Sequence, residues 1–285
     1  MLGAPVWACD QWGGLVYPNR TPRKDWLTWY SKAFNTVEGN STFYALPDAA
    51  TFQKWVDQTL DGFRFCFKFP RLISHDQQLS HCDEPLREFL GRLEILAKGE
   101  RLGPTFLQLG PAFGPEGYER LERFLRSLPA EFSWAVELRH HDWFDSSVNE
   151  NRVNDLLRRY QVDKVLFDSR PLFQSPPDDA IEAISQGKKP RTPVRQTVTA
   201  DQPMLRIVGR NHVELADAFF MQWAPIVAAW IRDGQRPIIF THAPNDAIAP
   251  TLAQRFMTAL QSHLPDVDFT IPSLPTSAIQ LSLLE

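Results

Sequence analysis

Short apolar runs alternate along the chain with stretches of helical periodicity, the pattern of β/α units feeding a parallel sheet. The runs are "APVWACD", "NTVEGN", "FRFCFKF", "TFLQLG", "SWAVELR", "DKVLFDS", "PMLRIVG" and "PIIFTH". Between them, "DWLTWYSKAF", "DAATFQKWVDQTL", "EPLREFLGRLEILA", "YERLERFLRSL", "NRVNDLLRRY" and "FFMQWAPIVAAWIRDG" repeat apolar residues at helical spacing, and "APTLAQRFMTALQSHL" follows the last run. Eight such units predict an α/β protein with a single (β/α)8 TIM-type barrel, in which closure removes the exposed sheet edges. Pro47-Asp48 and Asp83-Glu84-Pro85 carry helix-start chemistry, with acids or an early proline at the first turn.

The sixth unit differs from the rest. After Asp168, the segment Ser169 to Pro203 contains Pro171, Pro176, Pro177, Pro190, Pro193 and Pro203, with helical character only in "DDAIEAISQ". A long irregular connection of this kind in a compact domain is either a lid or binding loop, or simply a mobile stretch. No fixed-period repeat and no Gly/Ser-rich linker divides the chain, so residues 1–285 read as one domain.

Strand side chains alternate faces, so residues of like parity point together. In "FRFCFKF", Phe63, Phe65, Phe67 and Phe69 suit a helix layer, which leaves Arg64, Cys66 and Lys68 facing the barrel axis. The same split turns Thr36, Glu38 and Asn40 inward, and likewise Ala135, Glu137 and Arg139. Asp10, Gln108, Asp168, Arg206 and His242 near other strand ends extend this inward polar set. Uncompensated buried charges cost several kcal/mol each, so the set needs either mutual pairing or a ligand. Pairing would make a closed network in which Glu38, Glu137 and Asp168 balance Lys68, Arg139 and Arg206. So dense a ring at the carboxyl ends of barrel strands favours a ligand site.

Glu38 and Glu137 suit an acid/base pair, because neighbouring carboxylates can be held at different proton affinities, and two carboxylates also suit glycoside hydrolysis. Lys68 would form a Schiff base if desolvated, although acidic neighbours would keep it protonated. Arg139 and Arg206 offer planar forks for a carboxylate or phosphate. The histidines His75, His140, His141 and His242 lie in no HExxH or other compact ligand spacing, so no metal site is expected. A divalent ion, the one cofactor considered, would fall to Glu137, Asp168 and His140. "GKKPR", Gly187 to Arg191, suits phosphate or nucleic acid, or is a solvated surface run. There is no GxGxxG, GxxxxGK[ST] or GxSxG, so dinucleotide, P-loop and serine-hydrolase chemistry lack their motifs.

Composition narrows the class further. Hydrophobic residues make up 43% and charged residues 22% of the 285 residues, as in ordinary globular proteins. The 30 Lys and Arg against 34 Asp and Glu give a formal charge of −4, which disfavours nucleic acid as a partner and leaves only a local basic patch as a route to it. Cys9, Cys66 and Cys82 are scattered, without a CxxC pair, so neither a disulfide framework nor structural zinc is expected. "MLGAPVWACDQWGG" lacks a basic region followed by an apolar run, and no segment has the length of a membrane span, so the expected location is the cytoplasm.

"FNTVEGNSTFYALP", "FRFCFKFPRLISHDQQLSHCDEP", "LQLGPAFGP", "WAVELRHHDWF", "VLFDSRP", "LRIVGRN" and "FTHAPNDAIAP" occur in order through nearly the whole chain. Together they resemble the YecE-like family, named for its unknown function. The resemblance implies a TIM-barrel-like fold and supplies no reaction. The family's polar motif positions fall here on Glu38, Asn40, Thr42, Tyr44, Lys68, His75, Gln108, Glu137, Arg139, His140, Asp168, Arg170 and Arg206. Many relatives end the last strand with an Asn-Asn pair, whereas the His242 version resembles the YecE subgroup.

Three functions are therefore expected. The first is an enzyme acting on a small polar or anionic metabolite, carboxylated or phosphorylated. Its anchors are Arg139, Arg206 and Lys68, its proton-transfer group Glu38 or Glu137, and its lining Asn40, Thr42, Tyr44, His75, Gln108, His140, Asp168, Arg170 and His242. The second is a divalent-metal phosphoesterase that could act on nucleic acid. The third is a non-catalytic ligand sensor or binding module with the Pro-rich segment as lid.

Overall fold

The computed structural model describes residues 1–267 and 269. Eight strands run parallel: β1 (Leu2–Gly3), β2 (Thr36–Gly39), β3 (Arg64–Phe67), β4 (Thr105–Gln108), β5 (Trp134–Glu137), β6 (Asp163–Asp168), β7 (Met204–Val208) and β8 (Ile238–His242). Their ladders form a six-stranded curled sheet in the order β1-β8-β7-β6-β5-β4 and a separate two-stranded sheet of β2 and β3. The α/β class and strand count match expectation, but one continuous eight-stranded ladder is not formed.

The two seams have local causes. At the first, Glu38 N donates to Ala4 O at 3.1 Å, and Pro5, having no N–H, cannot carry β1 further. "APVWACD", Ala4 to Asp10, is thus not a strand at all, and β1 is the dipeptide just before it. The chain leaves β1 and turns through Asp10–Trp12, and Asp10, expected to face inward, lies on the surface 2.6 Å from Arg23. At the second seam Phe69 N donates to Phe106 O at 3.1 Å and Lys68 bridges Phe106, while Pro104 just before β4 again lacks a donor. Gly3 lets the backbones approach at the first seam, and Gly39 makes room for a ring inside the β2–β3 pair. A Cβ on Gly3 would lie 2.3 Å from Thr36 O, and one on Gly39 would lie 2.1 Å from the Phe67 ring.

Nine helices are found among the described residues: α1 (Trp26–Ala33), α2 (Ser41–Tyr44), α3 (Ala49–Gln58), α4 (Asp83–Lys98), α5 (Tyr118–Arg126), α6 (Val148–Arg159), α7 (Ala180–Lys188), α8 (Asp217–Arg232) and α9 (Ala249–Gln261). Capping follows the side-chain chemistry. Asp48 accepts from Thr51 N at the start of α3, and Asp179 accepts from Glu182 N at the start of α7. None of the helices is long and apolar enough to cross a membrane.

The helices cover the convex face of the strands. There Phe65 and Phe67 pack with Trp55 and Phe52, which is the outward parity expected for "FRFCFKF". On the concave side Cys66, Phe106, Ala135, Val165, Met204, Ile238 and Phe240 make a second apolar cluster, drawn from six different strands. This plug fills the amino-terminal part of the interior. The next inward-facing residues, one pleat closer to the carboxyl ends, are polar on every one of these strands except β6, where Phe167 follows Val165.

Candidate functional site

Parity and register place Glu38 on β2, Gln108 at the end of β4, Glu137 at the end of β5, Arg206 on β7 and His242 at the end of β8, with Lys68 just past β3. All six are buried, and Glu38 and Glu137 are fully so. Arg206 is the hub. Its Nε and Nη2 each donate to one oxygen of Glu38 at 2.7 Å, and its Nη1 donates to Oε2 of Glu137. The guanidinium lies between the rings of Phe106 and Phe167, at 5.3 and 5.5 Å. Aromatic faces and two carboxylates thus replace the water that the cation has lost.

The remaining bonds of the two carboxylates are also filled. His242 Nε2 lies 2.9 Å from Glu38 Oε2, and Asn40 donates to Glu38 Oε1 at 2.8 Å. Burial lowers the proton affinity of His242 more than Glu38 raises it, so the ring is neutral and its Nε2–H donates to the carboxylate. Glu137 Oε1 accepts from Gln108 at 2.8 Å and from Arg139 Nε at 2.7 Å. Burial by itself would raise the pKa of both acids. For Glu137 the charges of Arg206 and Arg139 overcome it and hold the pKa at about 2, and for Glu38 Arg206 and His242 hold it well below the usual carboxylate range. Both acids are therefore fixed anions at neutral pH.

Lys68 is different. Its Nζ donates to the neutral amide oxygen of Gln108 at 2.6 Å and lies 3.5 Å from the centre of the Phe43 ring. No carboxylate oxygen approaches it within 4.0 Å among the described residues. Burial, followed by the repulsion of Arg206 and Arg139, outweighs the pull of Glu137 and Glu38 and brings its pKa down to about 7. Thr42, on α2, donates to the Lys68 carbonyl at 2.6 Å and so fixes the backbone from which this side chain springs. His75 stands edge-on to Phe43 at 5.1 Å with Nδ1 2.8 Å from Ser74 Oγ. Burial, with Lys68 and Arg139 nearby, lowers its pKa to about 4, so it too is neutral.

Other expected residues lie apart. Asp168 shares the parity of Lys164, not of Phe167, and points away from the concave face. There it accepts from Trp223 Nε1 of α8 at 2.8 Å and from Arg170 at 2.7 Å. Its expected place in the inward ring is thus corrected, and Arg170 is its partner, not a member of the cluster. Tyr44 is 81% exposed on the rim, edge-on to Phe43. His140 lies on the loop after β5, where its Nδ1 accepts from Asp142 N at 3.2 Å. Glu137, Asp168 and His140 are therefore not placed as a ligand set, and no group of three His, Cys, Asp or Glu side chains suited to a metal ion occurs among the described residues.

Two contributors were not on the expected list. Lys189, from "GKKPR", reaches the same mouth. Burial first and Arg206 second lower its pKa to about 8, with Glu38 pulling the other way. Asp246, after β8, faces it: burial raises its pKa and Lys189 draws it down. Lys189 arrives because the Pro-rich segment is tied down. Arg210, 1% exposed, binds Glu182 and Asp178 at the start of α7, Gln186 donates to Leu172 O at 2.8 Å, and Ser169 donates to Pro190 O at 2.7 Å. Four cations, Lys68, Arg139, Lys189 and Arg206, thus meet three carboxylates, Glu38, Glu137 and Asp246. The mouth carries positive charge in excess while Lys68 is protonated.

A family model described as "Protein of unknown function DUF72" matches residues 1–277. UPF0759 protein YecE of Escherichia coli (strain K12) is 37% identical over 274 residues, covering 96% of this chain and 97% of that protein. UPF0759 protein YunF of Bacillus subtilis (strain 168) is 26% identical over 151 residues, 50% of this chain and 53% of that one. Two crystal structures of DUF72 family proteins share the fold. That from Thermotoga maritima has a TM-score of 0.69 at 23% identity, covering 91% of this chain and 98% of its own. That from Enterococcus faecalis V583 has a TM-score of 0.65 at 18% identity, covering 84% and 93%.

Proposed function

Because the chain belongs to the DUF72 family, whose name assigns no activity, we propose a function from the chemistry of the mouth alone: an enzyme acting on a small anionic metabolite, with Lys68 as the proton-transfer group. The two sheets then work as one (β/α)8 barrel, a reading supported by the hydrogen bonds at both seams and by the apolar plug shared between strands of both sheets.

The observation that carries this reading is the contrast between Lys68 and the two glutamates. A proton-transfer group works best with a pKa near the operating pH. Glu38 and Glu137, held by Arg206, lie far below it, whereas Lys68 lies at about 7 beside a neutral amide. The role expected for Glu38 or Glu137 therefore passes to Lys68, and the Glu38–Arg206–Glu137 group becomes a rigid charged floor. Such a floor requires no reorganisation when charge develops above it. Arg139 and Lys189, at the open side, anchor the anion.

Screening carboxylated and phosphorylated metabolites for turnover tests the proposal, with Lys68→Gln measured on any substrate found. The expected result is loss of kcat by about two to four orders of magnitude, the usual contribution of general acid–base catalysis. Full kcat in Lys68→Gln would overturn the role of Lys68. A ligand that raises the melting temperature and is never converted would instead identify a binding module.

A further inference from the structure

We propose that the cleft beside the mouth is a phosphate subsite, so that the substrate class is a phosphate monoester of a small metabolite; this rests on the anionic-substrate reading above and specifies it. The cleft has a volume of about 370 Å³ and is lined by Arg139, His140, His141, Lys188, Lys189 and Arg191, together with two prolines. No carboxylate lines it. Two carboxylates lie near its His140, Asp142 at 3.9 Å from Nδ1 and Glu116 beside the same ring. Lys188, Lys189 and Arg191 have no carboxylate oxygen within 4.0 Å among the described residues.

The basic groups come from two places, residues 139–141 just past β5 and residues 188–191 at and beyond the end of α7, and Arg139, Arg191 and the backbone at Pro190 are held before any ligand arrives. Arg139 is held by Glu137, and His140 accepts from Asp142 N through Nδ1, which leaves Nε2 to serve a ligand. Arg191 lies 4.1 Å over the Phe173 ring, Pro190 O is held by Ser169, and Arg195 ties the following turn to Glu150 and Phe144 O. Arg139 and Arg191, already held, lose little freedom on binding, and a dianion with three oxygens engages more cations at once than one carboxylate can. The volume sits at the low end for small-molecule sites and suits one compact ligand. A formal charge of −4 for the whole chain speaks against a polyanion track. Arg139 lines the cleft while its Nε bonds Glu137, and Glu137 is joined through Gln108 to Lys68, so the cleft opens beside the group that holds Lys68.

Calorimetry on the full chain in about 0.15 M NaCl tests this with inorganic phosphate, acetate and a short DNA oligonucleotide as probes. Phosphate is expected to bind saturably at one site, at least about tenfold more tightly than acetate. Lys189→Met and Lys188→Met/Arg191→Met, with unchanged circular dichroism and melting temperature, are each expected to weaken it by about tenfold or more. Lys68→Gln is expected to retain phosphate binding, which separates the subsite from catalysis. Absence of saturable phosphate binding, equal affinity for acetate, tighter binding of the oligonucleotide, or wild-type phosphate affinity in the cleft variants would each overturn the subsite. The role of Lys68 would stand through any of these, because it is judged on turnover.

Discussion

Arg206 and Glu38, 168 residues apart in sequence, form a two-point bond with both contacts at 2.7 Å, and the same guanidinium also holds Glu137. One cation thus bridges two fully buried carboxylates on strands from different sheets, with Arg139 as the second cation on Glu137. Removing one partner of a buried pair leaves the others uncompensated, at a cost of about 3–5 kcal/mol. Arg206→Met is therefore expected to lower unfolding stability by about that amount in urea titrations. A loss under about 1 kcal/mol, the range of exposed ion pairs, would contradict the hub role.

Much of this constellation was legible because strand parity is a covalent consequence of the pleat. Glu38, Lys68, Gln108, Glu137 and Arg206 share inward parity with the apolar residues below them, and the structure brings all five into one bonded chain. Asp168 was misplaced because strand-end position was allowed to stand for parity, although Lys164 and Leu166 already fixed its face. The seams lie where Pro5 and Pro104 withhold a backbone donor, a signal present in the sequence but silent in a pattern of apolar runs. Lys189 was out of reach in a different way. Nothing local says where "GKKPR" goes, since its position depends on the bond between Arg210 and Glu182 across 28 residues. The aromatic partners of Arg206, Phe106 and Phe167, carried a usable signal, because they share the inward parity of the polar set.

Lys68 should titrate in the neutral range. With a pKa of about 7, against 10.5 for an ordinary lysine, one ε-methylene resonance is expected to move between about pH 6 and 8 in carbon-labelled protein, and to vanish in Lys68→Gln. Because burial also brings Lys164 and Lys189 down to about 8, a set of neutral-range lysine signals that is unchanged in Lys68→Gln would refute it. The displacement also affects stability. The unfolded chain holds this proton up to 10.5 and the folded one only up to about 7, so the destabilising contribution is full below 7 and relieved as pH rises toward 10.5.

Asp163 gives the opposite pH dependence at the other end of the strands. It is 3% exposed, and burial raises its pKa from 3.8 to about 7, although Gln202 N donates to it. Between those values the folded state keeps a proton that the unfolded state has released, so stability is lost as pH rises from about 4 to 7. Asp163→Asn, which retains an oxygen for Gln202 N, is expected to stabilise the protein at pH 8 and not at pH 3.5. At about 1.4 kcal/mol for each tenfold change in proton affinity, the gain at pH 8 is on the order of 2–4 kcal/mol. Equal effects of the substitution on melting temperature at both pH values would count against a raised Asp163.

The Pro-rich segment was expected to be either a lid or a mobile stretch, and its bonds allow the two to be separated experimentally. Glu182 is fully buried at the first turn of α7, where it accepts from Arg210, from Asn211 N at 2.8 Å and from Asp178 N at 3.0 Å. Glu182→Gln keeps the volume and one acceptor but removes the charge opposite Arg210, leaving the exposed Asp178 as that arginine's carboxylate partner. Asp178 is itself 56% exposed and replaces only part of the charge that Glu182 sets against the buried Arg210, so the attachment of α7 weakens while the strands are untouched. Amide exchange is therefore expected to accelerate over residues 178–191 and to stay unchanged in β5 and β7, because local opening follows local bonding. Since Lys189 lies on this segment, phosphate affinity should fall in parallel with the loss of protection. Accelerated exchange with undiminished phosphate binding would mean that Lys189 does not contribute to the cleft. Unchanged exchange would mean that the remaining ties, Ser169 to Pro190 and Gln186 to Leu172, hold the segment without Glu182.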